Sequence, residues 1–304
     1  MTETFRFRPD VCTTSRFLEK KVWALGFLAV ELYPIVDGGV SVDRFVNRVA
    51  NFLGLEIMRR STATRLRSNE MLLHKKRAEL RILENFYSRT EGSVLFEMVS
   101  HSRAQLSQDL FVLSVLDLQE DGFFVEFGAA NGVSLSNTYL LEKNFGWKGI
   151  LAEPGRGWHS ELRKNRKAIV DTRCVWSESG ARLDFLEAGE ISTVSMFEKS
   201  DQHSRDRKAG AGYEVISVSL SDLLDQNDAP EIIDYLSIDT EGSELLILSA
   251  FDFSSRQIRV ITCEHNFTAN REKLHNLLTS NGFRRVFEDV SGWDDWYVHS
   301  SVSL

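Results

Sequence analysis

The residues able to do chemistry gather at the ends of a few apolar runs. Phe123-Phe124-Val125-Glu126-Phe127 leads into Gly128-Ala129-Ala130-Asn131-Gly132, and Gly149-Ile150-Leu151-Ala152 leads into Glu153. A short buried strand, a small-residue turn and a second strand tipped with a carboxylate describe a nucleoside-cofactor pocket. A dinucleotide site uses Gly-x-Gly-x-x-Gly so that the backbone can approach a pyrophosphate at a helix N-terminus. Here Gly128 and Gly132 flank alanines, and the middle glycine is missing. An acid-x-Gly-x-x-x-Gly turn suits S-adenosylmethionine, which carries no phosphate and whose sulfonium and amino group favour a carboxylate such as Glu126. Asn131 would bond the ligand's amino-acid portion or hold the turn, and Glu153 would accept from both ribose hydroxyls. Either feature alone fits an ordinary strand-to-helix turn; the two at this spacing favour the cofactor.

A second cluster lies downstream. The apolar run Tyr235-Leu236-Ser237-Ile238 delivers Asp239 and Glu241 to a strand's carboxyl end, where ligands bind in open α/β sheets. Glu244 suits the positive N-terminus of the helix that follows. The next strand ends in Glu264-His265-Asn266. His265, with an unperturbed pKa of ~6.5, is the natural base near neutral pH, or else a residue that holds the strand end. Asp239, Glu264 and Asn266 offer hard oxygen ligands suited to Mg²⁺.

These tips need a sheet behind them. From residue 122 the pattern alternates strand and helix, which specifies a parallel sheet with helices on both faces. Strands are expected at 123–127, 149–152, 169–175, 215–218, 235–238 and 258–263. Helices are expected at 134–145, 158–165, 219–226, 243–251 and 270–281. The last two strand-like runs, 284–290 and 296–299, are too close for a parallel crossover and make an antiparallel hairpin. Class I methyltransferases insert such a final strand, whereas dehydrogenase domains keep theirs parallel. The expected fold is therefore α/β: a Rossmann-like class I methyltransferase sheet, mostly parallel with a C-terminal antiparallel hairpin, plus an N-terminal α-helical extension.

That extension, residues 1–100, precedes the domain at 101–304. Its helices are read at 17–32, 42–58 and 61–87, with another helix at 105–118. Leu66, Leu73, Leu80 and Tyr87 recur every seven residues in the third helix, but Asn69 and Lys76 break the second apolar row. A surface helix packed on the catalytic domain fits this pattern, and a homodimer arm is the alternative. The net charge of −8 over 304 residues gives no support to nucleic-acid binding. The three cysteines, Cys12, Cys174 and Cys263, are too scattered for a disulfide framework or a metal knuckle. The N-terminus lacks the pattern of a signal peptide. The run from Val22 to Val36, broken by Glu31 and Pro34, is shorter than the ~20 residues that span a bilayer. A cytoplasmic protein without a membrane span is expected.

Several motifs together carry a resemblance. Val125-Glu126-Phe127-Gly128-Ala129 with Gly132, Ser136-Asn137-Thr138, Trp147-Lys148-Gly149, Glu153-Pro154, Asp239 to Glu244 and Glu264-His265-Asn266 resemble the FkbM family of S-adenosylmethionine-dependent methyltransferases. Ser107-Gln108-Asp109 resembles a segment that precedes the first strand there. The resemblance covers about residues 105 to 300 and implies methyl transfer to a hydroxyl, often on a sugar, a glycan or a glycosylated natural product. It implies cofactor contacts from Gln108, Asp109, Glu126, Gly128, Asn131, Gly132, Asn137, Glu153, Pro154 and Asp239. Catalysis would fall to Asp239, Glu241 and His265, with Mg²⁺ on Asp239, Glu264 and Asn266 as the alternative to a base. Two other readings compete: a catalytically silent, cofactor-binding scaffold, and an NAD-dependent nucleotide-sugar enzyme, which the missing glycine and the hairpin oppose. The polar, glycine-ended segment 189–212 reads as a lid or a solvated loop, and its Arg205, Arg207 and Lys208 could meet an anionic acceptor.

Overall fold

The computed structural model describes residues 60–87, 92–189, 192–197 and 210–303. The chain divides into two compact units, Met1–Arg67 and Ser68–Leu304. Of the first, only the opening turns of one helix are described. The helices expected at 17–32 and 42–58, together with Cys12, His203, Arg205, Arg207 and Lys208, lie outside the described residues.

The second unit is built on a seven-stranded sheet. Its strands are β1 (Phe123–Phe127), β2 (Lys148–Ala152), β3 (Ile169–Asp171), β8 (Ile232–Ile238), β9 (Gln257–Glu264), β10 (Phe283–Val286) and β11 (Asp294–His299). Their spatial order is β10-β11-β9-β8-β1-β2-β3. β1 pairs in parallel with β2 and β8, β8 with β9, and β2 with β3. β11 runs antiparallel between β9 and β10, which is the expected hairpin. The central strands are apolar on both sides because helices cover both faces. On one face Phe124, Leu151, Tyr235 and Val260 pack beneath α1 (Arg60–Tyr87), α3 (Gln108–Val115) and α4 (Tyr139–Phe145). On the other, Val125, Ile150, Leu236 and Ile261 pack against α6 (Leu220–Gln226), α7 (Glu244–Ala250) and α8 (Arg271–Ser280). Two shorter helices, α2 (Gly92–Met98) and α5 (His159–Asn165), complete the first layer. No helix among the described residues is long and apolar enough to cross a membrane.

Several elements differ from the expected pattern: the helix expected at 134–145 begins only at Tyr139, and the strand expected at 215–218 lies within a longer one, Ala211–Ser219, outside the main sheet. The run 169–175 is not one strand. Asp171 accepts from the backbone N–H and the guanidinium of Arg173, which closes a turn. The chain then leaves the main sheet for β4 (Cys174–Trp176). A second sheet of four strands, ordered β4-β7-β5-β6, adds β5 (Arg182–Glu187), β6 (Thr193–Val194) and β7 (Ala211–Ser219). In α1, Ala78 and Ile82 are fully buried against the main core, whereas Leu73 and Leu80 of the seven-residue row are exposed.

Candidate active site

The loops after β1, β2 and β8 open at the carboxyl edge of the sheet and surround one pocket. Phe127, Gly128, Ala130, Glu153, Pro154, Asp239, Thr240, Glu241 and Ser243 line it from the main sheet. Trp158, Cys174, Val175, Phe185 and Val194 close its apolar side. The loop after β1 needs its glycine. Gly128 has φ +75°, and a Cβ there would strike the carbonyl oxygen of Asp239. That close approach brings the β1 and β8 loops together, so Gly128 and Asp239 share one wall. Gly132, also at φ +75°, makes room for the side chains of Leu162 and Arg166.

Glu153 sits at the tip of β2 with both carboxylate oxygens directed at neighbouring backbone. Oε2 accepts from Ala130 N–H at 2.8 Å and Oε1 from Gly155 N–H at 2.6 Å. Burial nevertheless raises its pKa to about 7, the two N–H groups offsetting only part of the desolvation. Each oxygen keeps a lone pair for a further donor.

Glu126 is directed elsewhere. Its carboxylate accepts from Ser136 Oγ (3.0 Å), Asn137 N–H (2.7 Å) and Thr138 Oγ1 (2.6 Å), with Arg166 Nη1 at 3.7 Å. Arg166, fully buried, also donates to Gly132 O, Ser136 Oγ, Thr138 Oγ1 and Glu142. The pair thus ties the 132–138 loop to β1, and Glu126 is not among the residues lining the pocket. Asn131 is likewise engaged within the turn, its Oδ1 accepting from Val133 and Ser134 N–H. Asn137 donates to Ser237 Oγ, and its Oδ1 is buried without a hydrogen-bond partner.

The upstream segment acts through the fold. Asp109, fully buried, accepts from Ser102 Oγ, Arg103 N–H and Leu110 N–H, while Lys75 of α1 donates to Ala104 O at 2.7 Å. Gln108 donates from Nε2 to Asp294 Oδ2 at 2.7 Å. Asp294 is directly opposite Glu264 in the β9–β11 register.

Carboxylates dominate the far side of the site. Oxygens of Asp239, Glu241 and Glu264 lie within 4.8 Å of one another. Burial pushes Glu264 well above the usual carboxylate range, and Asp239, Glu241, Glu244 and Asp294 add like-charge repulsion. Asp294 is raised to about 8 by burial and by Asp239. Glu244 spends its Oε1 on Thr240 N–H, Thr240 Oγ1 and Gly242 N–H, which fixes the loop that carries Glu241. Asn266 Nδ2 lies 3.4 Å from Glu241 Oε2.

His265 is turned into the fold. Its Nδ1 accepts from Phe267 N–H at 3.0 Å, and Nε2 lies 3.7 Å from Asp295, which Arg271 and Arg285 also engage. Burial lowers its pKa to about 4, so the ring is neutral at pH 7. Of the residues expected from sequence, the structure brings Gly128, Glu153, Pro154, Asp239 and Glu241 to the pocket wall. It places Gln108, Asp109, Glu126, Asn131 and Gly132 behind that wall as supports. Asp294 falls in what reads as a hairpin connection, and the adjacent pair Asp294-Asp295 was the available signal. Cys174 and Phe185 left no such signal, because the second sheet that presents them was not legible; Trp158 instead precedes α5.

A family model described as the methyltransferase FkbM domain matches residues 126–293, more than half of the chain. No curated protein matches the sequence.

Proposed function

Because the chain belongs to the FkbM methyltransferase family, we propose that it transfers the methyl group of S-adenosylmethionine to a hydroxyl of a sugar, a glycan or a glycosylated natural product. The observation that carries this reading is the pocket in which Gly128, Glu153 and Asp239 meet. The strand order, with one antiparallel strand inserted beside the edge, reads as the class I methyltransferase sheet.

The residues present fit the cofactor. Glu153 offers a free lone pair on each oxygen to the two ribose hydroxyls, and Trp158, Val175 and Phe185 supply apolar walls for a nucleobase. When bound, S-adenosylmethionine supplies an electrophilic methyl group on a cationic sulfonium. Transfer to an acceptor oxygen would release S-adenosylhomocysteine and the hydroxyl proton, which the protein's residues would have to receive. The protein's part is alignment and proton removal. Asp239 and Glu241 stand on the pocket wall, and Glu264 is adjacent with a raised proton affinity. We assign proton acceptance to this carboxylate group. His265 belongs to its support, since Phe267 N–H occupies Nδ1 and Nε2 faces Asp295. Asp239, Glu241 and Glu264 also form a hard oxygen donor set that would hold Mg²⁺, which would lower the acceptor hydroxyl's pKa.

Isothermal calorimetry with S-adenosylhomocysteine tests the reading directly. Micromolar binding by the wild-type chain is expected, together with transfer of radiolabelled methyl groups to a saccharide-containing extract. Absence of binding would sink it.

A further inference from the structure

Directly beyond Glu264 the chain does something costly. Asn266 and Phe267 both adopt left-handed backbone, at φ 42° and 54°, a conformation rare for any residue with a Cβ and an outlier for a bulky aromatic. The segment is held there on several sides. His265 N–H and Asn266 N–H both donate to Trp293 O, Phe267 N–H donates to His265 Nδ1, and Thr268 N–H donates to His265 O. The His265 ring meets the Phe267 ring edge-on at 5.1 Å between centroids. His265 itself is 4% exposed, whereas Phe267 is 66% exposed. A strained segment that ends in an outward aromatic ring is a ligand-clamp arrangement. Its surroundings indicate the ligand. Phe267 stands three residues beyond Glu264 at the tip of β9, and its neighbour Asn266 reaches Glu241, an oxygen of which lies within 4.8 Å of oxygens of Asp239 and Glu264. An exposed aromatic on the loop whose preceding residue reaches a carboxylate cluster complements a pyranose ring, which has one apolar C–H face and a hydroxylated edge. The negative face of the aromatic ring attracts those C–H groups.

We propose that Phe267 is the platform on which the sugar ring of the acceptor stacks, and that His265 is a positioning residue that holds it exposed. The inference rests on the methyltransferase reading for its acceptor class and gives that acceptor a binding surface. It makes the loop after β9 a determinant of acceptor specificity, separate from the cofactor pocket at β1 and β2.

Saturation-transfer NMR on the full chain loaded with S-adenosylhomocysteine tests it, with the methyl glycosides of glucose, mannose, galactose and rhamnose as probes. At least one glycoside should receive saturation on the C–H groups of a single ring face. Phe267→Ala should weaken that glycoside about tenfold, the scale of one aromatic contact, while Phe267→Trp retains it. His265→Ala should weaken it likewise. His265→Asn, whose side-chain oxygen can still accept from Phe267 N–H, should restore most of the signal. Calorimetry should find S-adenosylhomocysteine affinity unchanged in Phe267→Ala. The proposal is overturned if no glycoside receives saturation, if Phe267→Ala binds like wild type, or if Phe267→Ala loses the cofactor product as well. Failure of the wild-type chain to bind S-adenosylhomocysteine would instead remove the methyltransferase reading. The saccharide signal would then be read on the unloaded protein.

Discussion

The two sides of the site surround their buried carboxylates differently. At the tips of β1 and β2, Glu126 and Glu153 are surrounded by donors: Glu126 by a backbone N–H, two hydroxyls and nearby Arg166, and Glu153 by two backbone N–H groups. At the tips of β8, β9 and β11, burial raises the proton affinity of Glu264 and Asp294 well above that of an ordinary carboxylate, and the charges of Asp239 and other neighbouring carboxylates add to it. The first half is preorganised for hydroxyl groups that approach fixed acceptors. The second is electrostatically stressed and gains from anything that brings a proton or a positive charge. A methyl donor bound on one side and a hydroxyl losing its proton on the other would use both conditions. The stress on the far side is the kind that functional sites keep at the expense of stability.

The largest effect should come from breaking the wall the halves share. In Gly128→Ala the new methyl group meets the Asp239 carbonyl, and the residue must still hold φ +75°. The backbone penalty alone is about 1–2 kcal/mol, and the clash with main chain adds to it. Calorimetry should find S-adenosylhomocysteine binding abolished, and the melting temperature should fall. Gly180→Ala, also at positive φ but with open space around it, isolates the backbone term and should leave binding intact. Equal binding by wild type and Gly128→Ala would mean that the two loops do not need their close approach.

That wall was legible in the sequence, and the reason is physical. Gly128, Glu153 and Asp239 are read from what the chain must do locally: a tight turn, and a polar residue ending an apolar strand. The sheet followed from the same alternation. Glu126 was legible as a buried acid but not in its direction, because its partner Arg166 stands forty residues away and looks like any surface arginine of a charged helix end. His265 was read by its intrinsic pKa, which burial lowers, and its Nδ1 is taken by the Phe267 N–H. The second sheet escaped because β5, Arg182-Leu183-Asp184-Phe185-Leu186-Glu187, is half polar and packs only a small core with Trp176 and Val215. Residues whose roles depend on long-range partners leave little trace in local pattern.

A smaller effect should appear in the pH dependence of cofactor binding, and it belongs to the first half alone. Glu153 has a pKa of about 7 in the unliganded protein, raised chiefly by burial. Ribose hydroxyls would donate to its ionised form, so binding would favour the carboxylate. Affinity should be flat above pH 8 and fall as pH drops below about 7, approaching tenfold per unit. The folding sign is opposite. A raised carboxylate pKa stabilises the unliganded protein below the unfolded value, and that stability is lost as pH rises through 7. Glu153→Gln should flatten the binding profile and weaken binding about tenfold or more, the worth of a hydrogen bond to a charged group. A profile of unchanged slope in Glu153→Gln would assign the titration to another group.

The smallest effect, and the one most particular to the second half, is a gain in stability. Glu264 is buried, and the charges that bear on it most are those of Asp239, Glu241, Glu244 and Asp294. Its raised pKa means that the folded protein holds a proton the unfolded chain releases, so wild-type stability declines as pH rises above the unfolded value near 4.5. Glu264→Gln removes the ionisable group, and the new amide can donate to the neighbouring carboxylates. The variant should be more stable than wild type at pH 8 by about 1 kcal/mol, a rise of roughly 2–4 °C in melting temperature for a domain of this size. The gain should shrink towards zero as pH falls to about 4.5. Methyl transfer should drop at the same time, since the carboxylate group on that side of the site loses one of its members, while S-adenosylhomocysteine affinity stays within about twofold, below the ~1.4 kcal/mol of a tenfold change. Glu153→Gln, in the other half, should reverse that pattern and lose affinity. If Glu264→Gln melts lower than wild type at every pH, the far carboxylates are partnered as well as the near ones, and the contrast between the halves dissolves.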